Sequence, residues 1–216
     1  MTTSGRQVEL LEKNHPRQER AKRTYEAILN AAAELLVEVG VERISTNLIA
    51  ERAGITVPAL YRYFPNKYAV IHALGAQLMD SQNRVFQDWF ETHGQGGDLV
   101  YLLSRVYDLL KSTVDVTASQ CGGLEILQAL RAVEPLRELR LTSHNLVAEQ
   151  FAQILADILE RPADVHLTRQ ARVSVDTGYN LVEMALEHPQ EELEGILNEG
   201  ARMLQAYWLA FLEGTG

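Results

Sequence analysis

Residues Ser45 to Lys67 read STNLIAERAGITVPALYRYFPNK. Ser45 or Thr46 can cap a short helix, because a hydroxyl there accepts a hydrogen bond from an N–H of the first turn. Ile49 and Ala50 then face inward, Ala53 completes the turn, and Glu51 and Arg52 lie on the outer side. Ala50 is small, so a second helix can cross closely. Gly54 follows four residues later, where a tight turn between helices needs a positive φ. Ile55 plugs the corner and Thr56 can cap the second helix. Pro58 in its first turn forfeits nothing, because that N–H has no intrahelical partner. Leu60 and Phe64 point back to a core. The spacing is that of a helix-turn-helix, whose second helix can enter the major groove of DNA. A plain helical corner has the same spacing.

Outward from this stretch the chain reads as helix. Ahead of it, Ile28, Ala31, Ala32, Leu35, Leu36 and Val39 form one apolar stripe, which predicts a helix over about 18–39 ended by Gly40. Behind Lys67, breakers delimit longer helices: Gly94 to Gly97, Cys121-Gly122-Gly123, Glu134-Pro135, Arg161-Pro162 and His188-Pro189. Asp98 and Asp164 are helix starts. No bounded period-two alternation is long enough for a strand. The expected fold is all-α with about nine helices, three short ones at the front and longer ones behind. The expected domains are a basic flexible arm at 1–19, a helix-turn-helix head at 20–82 and a helical body at 83–216.

Charge follows the same division. The 216 residues carry a net charge of −9, which taken whole argues against a nucleic-acid binder. Residues 1–67, however, hold ten Lys and Arg against eight Asp and Glu, a net of +2. The remainder holds ten against twenty-one, a net of −11. Lys13 to Arg23, KNHPRQERAKR, has five basic residues and one acid. A basic head stands on an acidic body. The single cysteine, Cys121, makes no internal disulfide and suits a reducing cytoplasm. No apolar run is long enough for a membrane span, and the first residues lack the apolar core of a signal peptide.

The head resembles the DNA-binding domain of the tetracycline-repressor (TetR) family of bacterial transcription regulators. The resemblance rests on AELLVEVG at the end of the first helix, on Thr46, Ile49-Ala50 and Ala53-Gly54-Ile55, and above all on Leu60-Tyr61-Arg62-Tyr63-Phe64 followed by Asn66-Lys67. It covers about residues 20–82. It implies a homodimeric regulator of double-stranded operator DNA, a repressor released by a small-molecule effector. An activator, or a helical ligand-binding or interaction protein without operator binding, is the alternative. The resemblance also implies roles. Thr46, beside Ser45, would cap the second helix and touch phosphate, and Asn47 would reach a base. Thr56, Val57, Pro58 and Ala59 would lead the recognition helix. Tyr61, Tyr63 and Lys67 would meet phosphates, which set register and not sequence. Val57, Pro58 and Ala59 offer no side-chain hydrogen bonds, so polar base reading falls to Asn47, Thr56 and Arg62. Arg17, Arg20, Lys22 and Arg23 can reach phosphates or a neighbouring minor groove.

For the body the resemblance implies a dimer interface and a ligand pocket. The last two helices are expected at about 164–187 and 190–213. Leu193, Ile196, Leu197, Gly200, Leu204, Tyr207, Trp208 and Phe211 form a stripe on the last, with Gly178 and Met184 on its neighbour. Two such helices per subunit can pair into a four-helix interface, unless the stripe packs on its own body. For the ligand the candidates are Phe86, Trp89, Phe90, Tyr101, Tyr107, Gln128, Arg131, His144, Asn145 and Tyr179, with ordinary core packing as the competing role of each aromatic. Arg131, if it faces the cavity, would select a carboxylate. No glycine-rich phosphate loop, HExxH, CxxC or nucleophile elbow is present, and the six histidines are dispersed. No enzyme, metal or cofactor is expected.

Overall fold

A computed structural model describes residues 9–13, 18–94 and 98–214. Among these it contains ten helices: α1 (Glu19–Arg43), α2 (Thr46–Arg52), α3 (Val57–Leu60), α4 (Lys67–His93), α5 (Leu99–Ser104), α6 (Val106–Ser119), α7 (Gly123–Ala132), α8 (Glu134–Ile158), α9 (Val165–Glu187) and α10 (Gln190–Gly214). The all-α expectation holds. The extra helix arises where Arg105 leaves helical geometry and divides α5 from α6. The first helix is 25 residues long, not short, although Gly40 (φ 73°, ψ 169°) breaks its helical geometry one residue past the expected end. Among the described residues no helix is long and apolar enough to cross a membrane.

The chain folds into two units. The first comprises residues 1–79 and 120–140. The apolar stripe of α1 is sealed in its core with Ile49, Ala50, Leu60, Phe64, Val70, Ile71 and Leu78. Helix α7 returns from the second half of the chain to pack on α1 and contributes Ile126 and Leu130. Residues 9–13, assigned to a flexible arm in the sequence reading, are held on this unit. Lys13 N–H donates to the Tyr63 carbonyl at 2.7 Å, Asn66 Nδ2 donates to the Glu9 carbonyl at 2.8 Å, and Leu10 packs on the core. The basic Arg17 lies outside the described residues.

The second unit comprises residues 80–119 and 141–216. Helices α6, α9 and α10 pack against one another around a core that includes Phe151, Leu155, Leu167, Leu197 and Trp208. Asp98 and Asp164 start helices as expected: their carboxylates accept from Tyr101 N–H at 3.1 Å and Leu167 N–H at 2.8 Å. That backbone bond is the main cause holding the Asp164 carboxyl below the usual aspartate range.

Candidate functional site

The helix-turn-helix is built from the inside. Ile49 and Ala50 are sealed under α2, Leu60 and Phe64 under the segment that follows it. Gly54 (φ 65°) makes the corner in the left-handed region that a Cβ disfavours. Ile55 N–H donates to the Ala50 carbonyl at 3.0 Å, which closes the turn. Helix α3 is only four residues long, but i+3 and i+4 bonds continue the turn through Phe64. This leaves Asn47, Thr56, Pro58, Tyr61 and Arg62 exposed and Val57 and Ala59 half-buried. Arg20, Lys22 and Arg23 are exposed on the first turns of α1. Lys22 pairs with Glu19 at 2.9 Å, a contact weak enough at this exposure to yield to a phosphate.

One of the two cap candidates is selected, and three side chains stand otherwise than the sequence suggested. Ser45 caps α2, accepting from Leu48 N–H at 3.2 Å, so the cap is not Thr46. The hydroxyl of Thr46 instead shares a hydrogen bond with that of Tyr61 at 3.2 Å, tying the start of α2 to the end of α3. Thr56 stands at the N-cap of α3 but its side chain makes no capping bond. Tyr63 is half-buried with its ring edge-on to Tyr25 at 6.2 Å and packs against the core.

Lys67 departs furthest. Its ammonium donates to the carbonyls of Val41 at 3.0 Å, Glu42 at 3.2 Å and Ile44 at 3.0 Å. Three N–H donors meet three acceptors, so this lysine ties α4 to the end of α1 and has no proton left for a phosphate. Arg52, read as an outer residue, clamps α2 to α1. It pairs with Glu34 at 3.1 Å and forms two bonds to Glu38, at 2.8 and 2.6 Å. These bonds lower the Glu38 carboxyl and raise the guanidinium.

The second unit holds a half-open cavity of about 90 Å³. Phe86 and Trp89 of α4 and Tyr179 of α9 line it, three of the ten ligand candidates. The other seven do not. Phe90 lines a separate open groove with Gln150 and Gln153. Tyr107 packs at the edge of the core, and Tyr101 and Asn145 are exposed. Gln128 and Arg131 belong to α7 in the first unit and are exposed, so Arg131 does not line the cavity and gives it no carboxylate anchor. His144 is buried behind the wall. Its Nδ1 bonds Asp176 at 2.7 Å and its ring stacks on Tyr179 at 4.1 Å. Burial of Tyr179, followed by the Asp176 charge, raises its phenol.

The polar lining that sequence reasoning missed is Gln82, Thr113 and Ser174. The signal was present for Gln82. With Leu78, Phe86 and Trp89 it occupies the i, i+4, i+8, i+11 positions of the buried stripe of α4. A polar residue in such a stripe is either bonded or aimed at something. Ser174 accepts the Trp208 indole N–H at 2.9 Å, both groups being buried.

The proposed dimer stripe is divided. Leu193, Leu197, Leu204 and Trp208 are buried within their own unit and leave little surface for a partner. Gly178 lines the cavity, and Phe211 stacks edge-on to Trp208 at 5.7 Å. Met184, Met203 and Tyr207 stay exposed, at 45%, 51% and 40%, and Ile196 is half-buried between them and the core. Met184, Ile196 and Met203 border an open groove with Leu181 and Gly200. Among the described residues no three His, Cys, Asp or Glu gather to hold a metal.

Comparison with known proteins agrees with this geometry. Residues 28–74 match the family described as bacterial regulatory proteins, tetR family. The chain is 44% identical over 54 residues to the class C tetracycline repressor of Escherichia coli, covering 25% of each chain. It is 27% identical over 139 residues to an uncharacterized HTH-type transcriptional regulator of Mycobacterium tuberculosis, covering 63% of this chain and 67% of that one. The matched stretch thus spans about a quarter of the tetracycline repressor's length and two thirds of the mycobacterial relative. The crystal structure of a TetR-family transcriptional regulator from Streptomyces coelicolor is similar over 86% of this chain and 97% of its own. Its TM-score is 0.60 and its identity 26%.

Proposed function

The chain belongs to the TetR family of bacterial regulatory proteins, and on that premise we propose that it is a cytoplasmic, homodimeric repressor whose grip on operator DNA is released by a small molecule. The carrying observation is the exposed set Asn47, Thr56, Pro58, Tyr61 and Arg62 on a helix-turn-helix whose inner residues are sealed. Such a segment enters the major groove with its leading residues against base edges. Tyr61, Thr46 and the basic start of α1 supply phosphate contacts.

A dimer presents two such segments about 34 Å apart to two half-sites. Met184, Met203 and Tyr207, with Val165 and Val173, are the exposed large apolar side chains of α9 and α10 left for a second copy. The cavity supplies the ligand response. At about 90 Å³ it is smaller than the ~150 Å³ void that admits benzene. A larger effector must therefore displace its walls, Phe86 and Trp89 among them, and these lie on the same helix that Lys67 anchors. A ligand favouring the displaced arrangement shifts the population by that difference in affinity. The test is a gel shift with the DNA upstream of the protein's own gene, at two salt concentrations. Retardation that weakens steeply with salt is expected; no retardation of any genomic fragment overturns the reading.

A further inference from the structure

Taking the cavity as the effector site, we propose that its ligand is an uncharged, largely apolar molecule that donates a hydrogen bond, such as a phenol or alcohol, to Gln82. Among the described residues no Asp, Glu, Lys, Arg or His lines the cavity. An ionised ligand would be buried there without a counter-charge, at a cost that apolar contact does not recover.

The polar groups have a definite sense. Gln82 is 1% exposed, and its Nε2 donates to the Thr117 hydroxyl at 2.8 Å. That hydroxyl gives its single proton to the Thr113 carbonyl at 2.7 Å, so toward Gln82 it can only accept. This fixes the carboxamide with nitrogen toward Thr117. Its oxygen, Oε1, is buried without a partner. Thr113 Oγ1 in turn donates to the Leu109 carbonyl at 2.8 Å, which leaves it lone pairs only. Both indole N–H groups are already engaged, Trp89 with the Arg105 carbonyl and Trp208 with Ser174, each at 2.9 Å. The hydroxyls of Ser174 and Tyr179 can turn to suit either sense. The fixed polar groups of the wall therefore ask for a donor. An orphaned buried acceptor is costly, and a ligand O–H or N–H relieves that cost.

Three probes of one skeleton separate the possibilities: 4-methylphenol, its methyl ether and 4-methylbenzoate. The chain's two tryptophans, Trp89 and Trp208, both line the cavity, so intrinsic fluorescence of the intact protein reports occupancy. The phenol is expected to bind roughly 3- to 10-fold tighter than the ether, the worth of one neutral hydrogen bond, and the benzoate weakest. In Gln82→Leu, or Gln82→Met should that variant fail to fold, the preference for phenol over ether falls to about 1. A preference for the benzoate, an unchanged phenol preference in the variants, or no fluorescence response to any probe overturns the proposal. The upstream-DNA gel shift is run on the same preparation. Retardation without the phenol preference sinks the ligand inference alone. The phenol preference without retardation sinks the repressor reading and leaves the cavity chemistry standing.

Discussion

Lys67 and Arg62 both stand in the run that marks the recognition segment, yet their chemistry differs. Lys67 is half-buried and donates to three carbonyls of the first unit. Replacing it with Met leaves those acceptors short of a cationic donor, and stability in urea is expected to fall by about 2 kcal/mol. The dependence of DNA affinity on salt should keep its slope, because no phosphate contact is lost. A shallower slope would return Lys67 to the phosphate set. Arg62 and Asn47 are exposed polar side chains, and on the proposed reading they face the bases. Asn47→Ala and Arg62→Ala are expected to relax discrimination among operator variants by roughly 1–3 kcal/mol for each base contact removed. Competition gel shifts measure this, and equal losses on every sequence would move base reading elsewhere.

At the scale of the element, Arg52 binds α2 to α1 while the turn after α6 binds α7 to α1. Gly122 has φ 68°, and a Cβ there would stand 2.9 Å from the backbone oxygen of Ala33. Backbone cannot swing aside as a side-chain end can. Gly122→Ala is therefore expected to destabilise by about 1–3 kcal/mol, combining a left-handed backbone with overpacking. The lowered urea midpoint should come with an unchanged slope. The helix starts at Asp98 and Asp164 and the stripe of α1 were legible because capping and 3.6-residue periodicity are local. The break at Arg105 was not, since no glycine or proline marks it.

For the whole molecule the charge of −9 divides into a head near neutrality and a strongly acidic remainder. On the proposed reading the acidic part is repelled by DNA, so affinity would rest on joining two heads more than on bulk charge. Met203→Glu puts a charge on the apolar surface of α10 and is expected to give monomers in sedimentation velocity. Operator affinity should drop at least about tenfold with helicity unchanged, because half-sites are then bound singly. A dimeric Met203→Glu protein would move the interface off this groove.

The sequence by itself determined the all-helical class, the corner at Gly54 and the exposed set around Tyr61. All three depend on residues within a turn or two of each other. Tertiary structure decided which polar groups were already occupied. Lys67 meets carbonyls some 25 residues back in the chain, and Trp208 meets Ser174 across 34 residues. It also decided the cavity, whose wall draws on six helices from α4 to α10. A side chain's periodicity tells only that it turns inward. Whether it finds a hydrogen-bonding neighbour there, as Trp208 does, or is left without one, as Gln82 Oε1 is, depends on helices far away in sequence.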